Sequence, residues 1–184
     1  TKHKITKEEK MANNFYKLAL GGIFAIIVIG GYMAFTGYAN DVYPLDQSVG
    51  FLDRIVATSD PQSIIADINS IKANLPETGN PVWIFPTDST NFARIQADLD
   101  TMLISAEKIA AVPTDSAAYH TGMLDINSRS VLIQENIADA IPYMYVSFSN
   151  IIFSSIWIAA ILGIFAVLNK KKQKMQEYDV SKDV

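Results

Sequence analysis

Two stretches without a single charged side chain set the terms for this chain. Residues 18–40 read "LALGGIFAIIVIGGYMAFTGYAN", and residues 140–169 read "AIPYMYVSFSNIIFSSIWIAAILGIFAVLN". Each exceeds the roughly 20 apolar residues that carry an α-helix across hydrocarbon. Lys10 and Lys17 precede the first run, and Lys170, Lys171, Lys172 and Lys174 follow the second. Lysines collect on the cytoplasmic side of membrane helices. The expected topology is therefore two-pass in the cell membrane, with both termini cytoplasmic and the central domain extracytoplasmic. Aromatic residues mark the expected interfaces, Phe15 and Tyr16 inside, and Tyr38, Tyr43, Tyr143 and Tyr145 outside.

The first run is longer than the roughly 7–15-residue apolar region of a signal peptide. Its downstream edge, "TGYANDVY", lacks an A-x-A cleavage site, so a retained anchor is expected. A start at Thr1 fits removal of an initiator Met before a small residue. The expected division is a cytoplasmic tail over 1–16, a span over 17–39, an extracytoplasmic bundle over 40–141, a span over 142–168 and a basic cytoplasmic tail over 169–184.

Charge divides the chain in the same way. Asp41 to Asp139 holds five Lys/Arg against fourteen Asp/Glu, a net of −9, whereas the first seventeen residues net +3 and the last sixteen +2. An acidic middle excludes nucleic acid as a partner, because phosphates need a basic face. The absence of cysteine removes disulfides, thiolate metal sites and thiol nucleophiles together.

Four segments of the middle place apolar residues at three- and four-residue steps, the seam of bundle helices. They are Leu45, Val49, Leu52 and Val56; Ile64, Ile68, Ile71 and Leu75; Phe92, Ile95, Leu99, Met102, Ala106 and Ile109; and Tyr119, Met123, Ile126, Ser130, Ile133, Ile137 and Ala140. Asp60 and Pro61 form an N-cap and first-turn pair for the second. No stretch alternates well enough for a sheet. The expected fold is all-α, an up-down-up-down four-helix bundle hung between two transmembrane helices. Pro142 is expected to bend the fourth helix as it enters the membrane.

The segment "LPETGNPVWIFPTDST" interrupts this pattern. Three prolines and Gly79 forbid regular helix, yet Val82, Trp83, Ile84 and Phe85 are strongly apolar. It reads either as a lid folded over one end of the bundle or as a docking loop for a partner or the outer membrane surface.

Catalytic constellations are missing. His3 and His120 are the only histidines, and the topology sets them on opposite sides of the membrane. His120 with Asp115 suffices for a metal only at a subunit interface, and a solvent-facing histidine near a helix start is the plainer reading. Neither a Walker loop nor a GxGxxG turn occurs. Glu135 and Asp139, one helical turn apart, read as a solvated face, and the methionines as packing. No cofactor, metal site or enzymatic activity is expected.

The apolar runs are more informative. Ser155, Ala159 and Gly163 recur every four residues, a spacing that lets another helix approach closely. In the first run Gly22, Gly30, Ala34 and Gly37 fall near one face. The two stripes suit packing either on each other or on other integral membrane subunits, with a homo-oligomer inside a larger complex as one arrangement.

A bundle between two spans resembles the ligand-binding half of bacterial chemoreceptors and sensor kinases, but only "NKKKQKMQEYDVSKDV" follows the second span. Such a tail, with its lipid-favouring lysines, is not expected to transmit a signal unaided. The layout, from "FYKLALGGIFAIIVIGGY" through the acidic helices to "SSIWIAAILGIFAVLNKKKQK", also resembles the small non-catalytic subunits of archaeal ammonia monooxygenase, a copper membrane enzyme. That resemblance implies an accessory, scaffold-type subunit whose catalytic copper ligands belong to partner chains. The alternative is an extracytoplasmic sensor or ligand-binding module working with a separate transducer.

Overall fold

The computed structural model describes residues 7–146 and 148–182; His3 and the outermost residues of both tails lie outside them. Among the described residues there are six α-helices and no strand: α1 (Lys7–Gly37), α2 (Tyr43–Ala57), α3 (Pro61–Asn74), α4 (Phe92–Ala110), α5 (Ala117–Tyr145) and α6 (Phe148–Lys182). A π-helical turn, Tyr38–Val42, joins α1 to α2. The chain forms two compact units, Thr36–Ser147 and the flanking segments up to Phe35 and from Phe148.

In the central unit α2 packs on α3, α3 on α4, α4 on α5, and α5 closes the ring on α2. Side-chain pairs give the directions. Arg54 meets Asp67, Lys72 meets Asp100, Met102 meets Ser130, and Gln134 reaches back to Asp53. Further along, Leu75 meets Gln96, Ile109 meets Gly122 and Ser59 meets Tyr119, so in α3/α4, α4/α5 and α2/α5 one partner's number rises as the other's falls. The short turn at 58–60 sends α3 back along α2, and every neighbouring pair is antiparallel. The result is an up-down-up-down four-helix bundle.

One apolar core fills its axis. Leu52, Ile55, Ile64, Ile68, Ile71, Ile95, Leu99, Met102, Ala106, Ile126 and Ile137 are all fully buried. Every seam position expected for α4 and α5 is buried, as are the four running from α3 to Leu75. Ser130 fits because its hydroxyl donates to the Ile126 carbonyl at 2.9 Å and contacts Met102 Sδ at 3.4 Å. A buried hydroxyl with such partners avoids most of its desolvation penalty.

On α2 the structure corrects the expected face. Leu45, Ser48, Leu52 and Ile55 are buried, Val49 is half-buried and Val56 is 39% exposed. The helix touches α3 on one flank and α5 on the other, so its covered stripe is broad and its centre lies one residue earlier than a seam through Val56. Ser48 occupies that centre because its hydroxyl donates to the Pro44 carbonyl at 2.8 Å.

Helix ends follow local chemistry. Asp60 caps α3, accepting from the backbone N–H of Gln62 and Ser63, and Asn91 and Ser116 cap α4 and α5. Gln96 donates to the Lys72 and Leu75 carbonyls at 3.1 and 3.2 Å, satisfying the end of α3 from the neighbouring helix. Gly122 permits the close approach of α5 to α4, where a Cβ would stand 2.6 Å from Ile109 Cγ1. Gly79 turns the chain after α3 with φ +110°, a conformation that favours glycine. Pro142 lies inside α5, which runs on to Tyr145 before Val146 leaves the helix. Ile141 and Met144 pack against the bundle core.

In the other unit, α1 and α6 have 31 and 35 residues, about 46 and 52 Å at 1.5 Å per residue. Both are long and apolar enough to cross a membrane, and none of either apolar window is buried inside the protein. A helix from the core of a soluble protein would be covered. They run antiparallel, with Trp157 beside Gly30 and Ile26, and Leu168 on the same cleft as Phe15.

Candidate interaction surfaces

Where α1 meets α6 the contact is built around a missing side chain. A Cβ at Gly30 would stand 2.9 Å from three atoms of the Trp157 indole. Lacking one, Gly30 lets the ring lie on the helix backbone, and Trp157 Nε1 donates to the Ile26 carbonyl at 3.1 Å. In an apolar environment that bond matters, because an unpaired indole N–H has no water to turn to. Trp157 is a packing residue that spacing alone does not single out; the only sequence signal is a bulky ring in one apolar run and a glycine in the other.

The half-covered residues of α6, Asn150, Ile161, Ile164 and Leu168, share a side with Trp157. Towards the other end of the pair an apolar cleft of about 410 Å³ separates the helices. Phe15, Ala19 and Gly22 of α1 line one wall, and Ala160, Gly163, Ile164, Val167 and Leu168 of α6 the other. The two small-residue stripes therefore have different surroundings. Gly22 and Gly30 lie on the side of α1 that faces α6. Ser155 and Ala159 are exposed beyond the cleft wall, Gly163 stands at its edge, and a Cβ on Gly163 would meet nothing within 4 Å. Ser155 returns its hydroxyl to the Ile151 carbonyl at 2.8 Å, so the stripe presents little polarity. Ala34 is exposed, and Gly37 has open space where a Cβ would be.

Of the four apolar residues in the loop, Val82 alone is buried; Trp83, Ile84 and Phe85 are 46%, 57% and 81% exposed. The root of the loop is tied by polar groups. Asn80 accepts from Val82 N–H at 3.0 Å and from the Thr90 hydroxyl at 2.9 Å, and donates to the Thr87 carbonyl at 2.7 Å. Trp83 Nε1 donates to the Val146 carbonyl at 2.9 Å.

The titratable residues do not converge. His120, Asp115, Glu135 and Asp139 are exposed, and among the described residues no three His, Asp or Glu side chains group as metal ligands would. Among the described residues the buried carboxylate is Asp67, which Arg54 grips through both Nε and Nη2 while its guanidinium lies 4.8 Å from the centre of the Phe51 ring. The hydrogen bond to Asp67 pushes the Arg54 pKa up. This pair ties α2 to α3 and reads as structural.

No protein-family model, curated protein or solved structure matches the chain. The surfaces themselves carry the functional argument. They are apolar, with small side chains on the α6 stripe and large ones in the loop, which suits helix and lipid contacts.

Proposed function

We propose that this chain is a non-catalytic accessory subunit of an integral membrane enzyme complex. It crosses the membrane twice, with both termini in the cytoplasm and the bundle outside, and braces other membrane subunits. The observation that carries this reading is the exposed stripe of Ser155, Ala159 and Gly163. Small residues at four-residue spacing allow two helix backbones to approach closely; α1 leaves Ser155 and Ala159 uncovered, and at Gly163, on the edge of the cleft, a Cβ would meet nothing within 4 Å. The layout shared with the small subunits of archaeal ammonia monooxygenase makes that complex the first candidate for the partner.

The test is Gly163→Leu. Because a Cβ there meets nothing within 4 Å, the chain itself accommodates the change, and Leu is favourable in lipid. A partner helix seated on the stripe is pushed away. Partner recovery from native membranes in mild detergent should fall about tenfold, equivalent to ~1.4 kcal/mol of association. Ile158→Leu, on a different face of α6, should leave recovery unchanged. Equal recovery from both variants at matched membrane levels would remove the stripe from the argument.

A further inference from the structure

We infer that the tip of the 75–91 connection, Trp83–Ile84–Phe85, inserts into the outer leaflet beside the points where the chain crosses the bilayer, and that its partner is a neutral phospholipid surface. This rests on the two-pass reading above. In an up-down-up-down bundle the connection from α3 to α4 lies at the end where α2 begins and α5 finishes. That end carries the start of α2 at Tyr43 and the end of α5 at Tyr145, through which the chain connects to Phe35 and Phe148 of the other unit. The hydrogen bond from Trp83 Nε1 to the Val146 carbonyl fixes the level of the loop, because Val146 stands two residues before α6 begins at Phe148. Tyr38, Tyr43, Tyr143 and Tyr145 are exposed at the same end, and aromatic side chains of this kind favour the headgroup region.

The loop has the chemistry for that place. Residues 78–87 contain no charge, and Phe85 is the most exposed large apolar side chain among the described residues. Pro81 and Pro86 have no N–H to leave unpaired, while the polar groups of Asn80, Thr87 and Thr90 are satisfied at the root, behind the tip. The bundle is strongly acidic, so anionic headgroups are repelled, and attraction to the membrane comes from apolar contact. On a neutral surface insertion is then insensitive to salt, and it weakens as anionic lipid is added.

Because the chain has no cysteine, Phe85→Cys in the full-length protein gives a unique attachment point for a nitroxide. In phosphatidylcholine nanodiscs, collision rates with oxygen (enriched in hydrocarbon) and with a nickel chelate (confined to water) report depth. Asp115→Cys, in the turn at the opposite end of the bundle, and Leu162→Cys, exposed on α6, are the aqueous and hydrocarbon references. The expected oxygen-to-nickel ratio at position 85 is several-fold above that at 115 and below that at 162, with Ile84→Cys behaving alike. A ratio equal to that at 115, with 162 in hydrocarbon, overturns the inference and leaves the two-pass reading intact. Protection from both reagents overturns it in favour of a protein occupant, a second copy included. Nickel accessibility at 162 overturns the two-pass reading and this inference together.

Discussion

Asp60 shows how much of the bundle's response to pH can sit on one side chain. Its carboxylate accepts from the Ser63 hydroxyl at 2.6 Å and from the N–H groups of Ser63 and Gln62 at 3.1 and 3.2 Å. These bonds, the Ser63 hydroxyl first, hold its pKa below the ordinary carboxylate value. A group whose pKa is lower in the folded state stabilises the fold above its unfolded pKa, about 3.9 for Asp. That contribution is lost as pH falls through the depressed folded value. The thermal midpoint of the protein, followed by circular dichroism, should therefore hold above about pH 5 and drop as pH falls below about 4. Asp60→Asn keeps a capping oxygen and should flatten that drop; an unchanged pH profile would assign it to other carboxylates. The cap itself was readable from "DPQS". The Arg54–Asp67 grip was not, because residues thirteen apart on two helices have no fixed geometry until the turn between them is known.

At the scale of elements, the seams of α3, α4 and α5 were legible because each presents one narrow apolar stripe. The α2 face was not, because two adjacent stripes compete on it and a serine disguises the buried one. The difference is measurable. Ile55→Ala removes a fully buried side chain and should cost about 2–5 kcal/mol, whereas Val56→Ala, on the exposed flank, should cost less than about 0.5 kcal/mol. Denaturant unfolding of both variants decides it, and the opposite ranking would return α2 to the face through Val56. For the apolar helices, composition disclosed the small-residue stripes without saying what lay against each. That depended on a tryptophan 131 residues after the carbonyl it binds, a pairing with no local signature.

For the whole molecule, the two apolar runs were legible at once, since neither composition nor length leaves them an ordinary place in water. The orientation proposed from the lysines is testable from outside the cell. A cysteine at Asp115, exposed in the turn between α4 and α5, should react with an impermeant thiol reagent on intact cells. One at Lys172, exposed near the end of α6, should react only after permeabilisation. The reverse pattern would invert the molecule and set the bundle in the cytoplasm. The ring of antiparallel helices has one more consequence, for handling the protein. Its two short turns, at 58–60 and 111–116, share the end of the bundle opposite the 75–91 loop. Lengthening a surface turn is entropically cheap, and exposed turns accept inserted sequence best. The turn at 111–116 is thus the natural graft site for an affinity tag or an antibody epitope, a handle that leaves the 75–91 loop as it is.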